Sequence, residues 1–217
     1  MNLTRGTRAA ATLAGTILAA LGLVTATGAL MSLQTSYTTA TARQAMEPTY
    51  RDGAPVPIEK IDGAAVRRGD VVLYQVPNRY GGLPVLQRVI GLGGDHIVFA
   101  DGSLTVNGQT PREPYVKQPD ASPSTPDLDV TVPPGRMFLL GDNRENSNDS
   151  RYFLSDNSGT VPTAAVQGRA LASGTTPVML GLAVVLGVLC TVGGGICALI
   201  ARRSRPAWTS PEPATFT

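Results

Sequence analysis

Two apolar stretches without a charged residue, Ala9 to Leu33 and Pro177 to Ile200, stand near the two ends of the 217-residue chain. A helix crosses a bilayer with about 20 predominantly apolar residues, and each stretch is long enough. Crossing twice returns a chain to the side it started from, so everything between the stretches must fold on one face of the membrane. Arg5 and Arg8, followed by Ala26-Thr27-Gly28, also have the look of a cleavable secretory signal. The apolar cores of such signals run to about 7 to 15 residues, and the greater length here predicts an anchor. Lys and Arg collect on the cytoplasmic side of spans. Arg5 and Arg8 precede the first stretch and Arg202, Arg203 and Arg205 follow the second, so both termini are expected in the cytoplasm and the middle outside the plasma membrane. The expected division is a cytoplasmic N-terminus over 1–8, a transmembrane helix over 9–33, an extracytoplasmic domain over 34–176, a second transmembrane helix over 177–200 and a cytoplasmic tail over 201–217. Pro206 to Thr217 is expected to be disordered.

This arrangement changes how the composition is read. The formal net charge of +2 places its basic excess at the membrane flanks and leaves the outer domain slightly acidic, which gives no footprint for nucleic acid. Both cysteines, Cys190 and Cys197, fall in the second apolar stretch. On a helix they share a face with Cα atoms about 10 Å apart, beyond the roughly 7 Å reach of a disulfide. They read as small packing residues, and the outer domain has no cysteine to hold a metal or a disulfide.

The middle of the chain reads as β. Val71-Val72-Leu73-Tyr74, Ile97-Val98-Phe99, Leu104-Thr105-Val106 and Met137-Phe138-Leu139-Leu140 are short apolar or alternating runs separated by turn formers, the pattern of strands. Val85 to Ile90 reads the same way, and Asn107-Gly108 is the strongest local hairpin signal. Lys117 to Asp129, with Pro119, Pro123 and Pro126, is expected to form a loop or mobile excursion, and Ser155 to Thr163 is also expected to be loop. No segment between the spans has clear helical periodicity.

The densest polar run is Gly141-Asp142-Asn143-Arg144-Glu145-Asn146-Ser147-Asn148-Asp149-Ser150-Arg151-Tyr152, entered straight from the apolar Met137 to Leu140. A loop with this many charges can pair them internally and fix its own shape. It fills every fixed position of the pattern GDNRxxSxDSR and resembles the last signature block of bacterial type I signal peptidases. Further blocks follow in family order: Ala45-Met46-Glu47-Pro48-Thr49 resembles SMxPT, Arg68-Gly69-Asp70 opens a strand block, and Gln87-Arg88-Val89-Ile90-Gly91-Leu92-Gly93-Gly94-Asp95 resembles KRVIGLPGD. Asn107-Gly108 and Glu113-Pro114-Tyr115 fit the hairpin and EPY segment of that family. Singly these are weak patterns; in this order they identify the family. The resemblance implies a mainly β fold, a signal-peptidase-like domain of coiled antiparallel sheet flanked by two transmembrane helices, with a smaller inserted β-region over 101–135. It implies cleavage of signal peptides from secreted preproteins, without a metal or cofactor.

The departures fall on the chemistry. In the family the Ser of SMxPT is the nucleophile and the Lys of the KR pair is the general base; here those positions hold Ala45 and Gln87. Alanine has no oxygen to attack with, and a glutamine amide does not take up a proton near neutral pH. A lysine serves as base only where burial lowers a pKa of about 10.4, and the strand around Gln87 would supply that burial. Two positions before the nucleophile, where relatives often carry a small residue of the oxyanion hole, stands Arg43, whose guanidinium is expected to crowd the site more than assist it. The remaining supporting positions carried over are Met46, Pro48, Arg88, Asp142, Asn143, Arg144, Ser147, Asp149 and Arg151. The position of Ser147 helps hold the base in the family, and Asp149 and Arg151 pair to brace the site.

A substitute nucleophile or base is not evident. Thr41 and Thr49 each lie four positions from Ala45; Thr49 belongs to the structural PT dipeptide, and roughly 13 Å of extended chain separates Thr41 from the site. His96, the single histidine, reads as a surface or turn residue before Ile97. Two functions stand: an inactive homologue that binds signal peptides or a partner signal peptidase at the lipid bilayer, or an active signal peptidase with a non-standard nucleophile.

Overall fold

The strand Val71–Tyr74 (β3) has all four side chains buried, as a strand covered on both faces must. It sits in the middle of a seven-stranded antiparallel sheet. The order is Tyr37–Thr41 (β1), Pro55–Glu59 (β2), Val166–Ala170 (β10), β3, Val85–Leu92 (β4), Arg136–Leu140 (β8) and Val161–Pro162 (β9). Side chains alternate across a strand, and β3 divides accordingly. Val71 and Leu73 join Ala42, Met46, Val56, Ile58 and Leu86 in one core, while Val72 and Tyr74 join Val89, Met137, Leu139 and Val161 in another. The computed structural model describes residues 5–116, 127–171 and 175–203.

A second sheet orders Ser103–Val106 (β6), His96–Ala100 (β5) and Leu128–Thr131 (β7), again antiparallel. Its inward side chains Ile97, Phe99, Leu104, Val106, Leu128 and Val130 bury a third core with Ile90 of β4 and Phe138 and Leu140 of β8. The register of β4 on β8 slips between Val89 and Gly91. A β-carbon at Gly91 would lie 2.7 Å from Ile97 Cδ1, so the absence of a side chain lets the small sheet close onto the large one.

The five strand runs expected from the sequence are all strands. Asn107-Gly108 turns the chain with both residues at positive φ, 53° and 74°, but it returns only as far as a single bridge from Val106 to Gln109. The full hairpin β5–β6 instead turns at Asp101-Gly102, opposite the pair Ala100 and Ser103. Two loop expectations need correction. Ser155 to Thr163 contains a 3-10 turn, Asn157–Gly159, and strand β9, held by the buried Arg79, which donates to the Gly159 carbonyl at 2.9 Å and to Asp156 at 2.9 Å. In the stretch from Lys117 to Asp129, residues 117–126 lie outside the described residues, and Leu128 and Asp129 begin β7. Their alternation, Leu128 and Val130 inward against Asp129 and Thr131 outward, marks a half-buried strand.

A separate unit holds two long helices, Arg5–Ser36 (α1) and Thr175–Arg203 (α2). Both are long and apolar enough to cross a bilayer, and they contain the stretches 9–33 and 177–200. Their surfaces are inverted relative to a soluble pair: Leu13, Leu21, Val24, Val185 and Leu189 are exposed, while Ala26, Gly187, Gly194 and Ala198 are buried. A β-carbon at Gly22 would meet the Gly187 carbonyl at 2.5 Å. Small residues bring the backbones this close, as in membrane helix pairs, and the Thr191 hydroxyl donates across to the Ala19 carbonyl at 3.3 Å. Both cysteines are free thiols. The tail from Pro206 lies outside the described residues.

Candidate functional site

Ala45 lies in the 3-10 turn Gln44–Met46 that follows β1. Met46 is fully buried beneath it and pins the turn to the β2–β3–β4 core. Above the turn, the Ala45 carbonyl accepts from the Asn143 amide at 3.0 Å, and Asn143 Nδ2 donates to the Gln44 carbonyl at 3.1 Å. A β-carbon on Gly141 would stand 2.6 Å from the Ala45 carbonyl oxygen and 2.2 Å from Ser147 Oγ. Only glycine at 141 lets these parts come together. Arg43 and Pro48 are exposed on either side of the turn.

Gln87 is buried in β4 with both ends of its amide engaged. Its Oε1 accepts from the Tyr74 hydroxyl at 2.6 Å, and its Nε2 donates to the Asn148 carbonyl at 2.9 Å. The Tyr80 hydroxyl donates to the same carbonyl at 2.9 Å. Burial pushes the Tyr74 phenol well above its ordinary value, with the neighbouring Tyr80 adding to the effect, and burial also raises Tyr80. Both phenols therefore stay protonated near neutral pH and act as donors, which leaves no base in this cluster. Ser147, one residue along from Asn148, is buried with a hydroxyl that finds no hydrogen-bond partner.

Asp142, Arg144, Asp149 and Arg151 of the polar run are ion-paired, two of them with each other and two with partners outside the run. Asp149 and Arg151, both fully buried, meet through two hydrogen bonds of 2.8 and 2.9 Å, and Arg151 also donates to the Arg144 carbonyl at 2.7 Å. Asp149 further accepts from the Gly141 amide at 3.1 Å. Asp142 and Arg144 instead take partners from earlier blocks: Asp142 binds Arg88 at 2.6 and 2.8 Å, and Arg144 binds Glu113 at 2.6 Å. Burial alone would lower the Arg88 guanidinium, but hydrogen bonding and the charge of Asp142 outweigh it and raise it. The Arg88 guanidinium stacks 3.8 Å from the centre of the Tyr115 ring, a phenol raised first by burial and then by the charge of Glu113.

The substitute residues are accounted for. The Thr49 hydroxyl donates to Asp142 Oδ2 at 2.5 Å, Thr41 ends β1 opposite Pro55, and His96 opens β5 with Nε2 2.6 Å from Asp129. No cluster of His, Cys, Asp and Glu able to hold a metal occurs among the described residues. Tyr74, Tyr80, Glu113 and Asn148 join the site without having been singled out for it. The EPY block pointed toward Glu113 and the polar run contains Asn148; Tyr74 and Tyr80 are brought in by pairings between distant segments.

A model of the signal peptidase family, peptidase S26, matches residues 11–173. The chain belongs to this family. Signal peptidase I V of Bacillus subtilis (strain 168) is 36% identical over 121 residues, which are 50% of this chain and 70% of that protein. Signal peptidase I U of the same organism is 33% identical over 114 residues, covering 49% of this chain and 60% of that one. A crystallised signal peptidase I from Enterococcus faecalis V583 shares 34% identity over 48% of this chain and 95% of its own, with a TM-score of 0.40. Family membership and the two apolar helices together point to a membrane-anchored protein.

Proposed function

We propose that this chain is a non-cleaving member of the signal peptidase family, which binds signal peptides or a partner signal peptidase through the cleft beside Ala45. The observation that carries this reading is the state of Gln87. Its amide is held by the Tyr74 hydroxyl and the Asn148 carbonyl, in a pocket with no proton acceptor, while Ala45 across Gly141 offers no nucleophile. The hydroxyls of Thr49 and Thr41 are respectively bonded to Asp142 and placed at the end of an edge strand, which weighs against a replacement. Removing a catalytic nucleophile leaves about 10³- to 10⁴-fold acceleration over water, undetectable against the rate of peptide hydrolysis. The Gln44–Ala45 segment, which would line a bound peptide, is tied to Asn143, and this supports the binding role.

The purified full-length protein, freed of host peptidase, should leave a preprotein with a small-x-small site uncut while binding it; cleavage there would overturn the reading. The arginines flanking the two helices support an orientation with both termini in the cytoplasm. Protease added to intact cells should digest the β-domain and spare terminal tags, and a tag lost from outside would reverse that orientation.

A further inference from the structure

The cleft beside Ala45 carries a charge that an uncut peptide chain would not use. It encloses about 350 Å³ and is lined by Arg43, Gln44, Ala45, Asp52 and Asn146. Most of this lining is already committed. Gln44 receives hydrogen bonds from Asn143 Nδ2 at 3.1 Å and Asn146 Nδ2 at 2.9 Å, and donates to Asp52 Oδ2 at 3.5 Å. The acid in the lining thus faces a neutral amide. Arg43 is exposed and has no acid partner among the described residues. A second cleft of about 400 Å³, lined by Glu145, Asn146, Ser147, Asn148 and Tyr152, shares Asn146 with the first.

A guanidinium gains little from a neutral peptide carbonyl and far more from a carboxylate, which it meets with two parallel charge-assisted hydrogen bonds. A peptide bond lying over Ala45 would leave the Arg43 charge without a counterion; a chain that ends there supplies one. Asp52 shares the lining and accepts from Gln44 Nε2, so the Arg43 guanidinium is the group of this cleft with which a carboxylate can pair. We propose that this cleft takes peptides ending in a free α-carboxylate after a small residue, which makes cleaved signal peptides, the products of an active peptidase, its ligands in preference to uncut preproteins. The inference rests on the peptide-binding role above and gives it a direction: Arg43 receives the terminal carboxylate, and Ala45 leaves room for the last side chain.

The test is one signal-peptide sequence made in three forms, with a free C-terminal carboxylate, with a C-terminal amide, and extended by a few residues of mature protein. Each is titrated by fluorescence anisotropy against the full-length protein in detergent and against Arg43→Gln, whose exposed position leaves the fold intact. The free acid should bind about tenfold tighter than the other two. Arg43→Gln should bring it down to the level of the amide while leaving the amide and the extended peptide unchanged, and Arg43→Lys should keep part of the preference. If all forms bind alike, or the preference survives Arg43→Gln, the carboxylate assignment fails while peptide binding stands. If no form binds, the carboxylate assignment fails together with peptide binding, and only a partner signal peptidase is left as the ligand of the proposed function.

Discussion

The polar run Gly141 to Tyr152 touches Ala45 through Asn143 and Gln87 through the Asn148 carbonyl, yet the run and these two positions differ in what they carry. In the run, Asp142, Arg144, Asp149 and Arg151 are all buried and ion-paired. At the other two positions, to which the family resemblance assigns the reacting groups, stand an alanine and a glutamine. The difference follows from cost. Removing one partner of a buried ion pair costs about 3 to 5 kcal/mol, because the other charge is left uncompensated. Exchanging a buried amine for an amide whose donors and acceptor all find partners leaves nothing uncompensated, and serine to alanine in a turn removes a single hydroxyl. Stability therefore resists change at the buried ion pairs more than at positions 45 and 87.

The strongest way to break this contrast is to put the chemistry back. On the non-cleaving reading proposed above, Ala45→Ser together with Gln87→Lys should produce a slow peptidase acting on a small-x-small preprotein, with Arg43 beside the site limiting the rate. A lysine at 87 would find the Asn148 carbonyl in place and the unpartnered Ser147 hydroxyl close by along the chain. A folded but inert double variant would mean that the cleft has drifted from a cutting geometry. Next in size is Asp149→Ala, which should lower the stability of the β-domain by about 3 to 5 kcal/mol in denaturant unfolding. An unchanged midpoint would show that the frame does not depend on the pair.

A smaller effect belongs to Asp95, which joins two sequence blocks by pairing with Arg68. Burial would raise its carboxyl, but the Leu92 amide at 2.8 Å, Asn107 Nδ2 at 2.9 Å and Arg68 together lower it below the ordinary value. A carboxyl lowered by folding adds stability above its unfolded pKa of about 3.9, and that contribution is lost as pH falls through the folded value. Asp95→Asn should flatten the stability profile below about pH 4 and leave its shape near neutral pH unchanged. An identical acid arm in both proteins would remove Asp95 from the frame.

The same contrast explains what could be read from the sequence. Strands β3, β4, β5, β6 and β8 were legible because their buried side chains form apolar or alternating runs. β1, Tyr-Thr-Thr-Ala-Thr, was not, because an edge strand with mostly exposed side chains carries no apolar signal; nor was β2, where Pro55 and Pro57 argue against a strand. The pair Asp149–Arg151 was expected because the family resemblance implies it. The partners of Asp142 and Arg144 were not, since Arg88 and Glu113 lie 54 and 31 residues away and no local pattern couples them. That Ala45 and Gln87 bring neither a nucleophile nor a base was legible from residue identity alone, but the hydrogen bonding around Gln87 depends on two tyrosines and a backbone carbonyl placed by the fold.

The smallest expected effect is the most specific to this comparison. Ser147 sits in the paired run, yet its hydroxyl is buried without a hydrogen-bond partner. A buried hydroxyl left unsatisfied costs about 1 to 3 kcal/mol of desolvation, which a methyl group in its place does not incur. Against that gain stands the loss of one oxygen's packing against Gly141, where the fit is tight. Ser147→Ala should therefore leave stability within about 1 kcal/mol of the parent, on the stabilising side. The sign should reverse in the double variant carrying Ala45→Ser and Gln87→Lys, where the hydroxyl would gain the new amine as a hydrogen-bond partner and its removal would lower both stability and cleavage. A loss of stability on Ser147→Ala in the parent would mean that the hydroxyl is held there after all, and that the run and the two vacant positions do not differ in the way their geometry indicates.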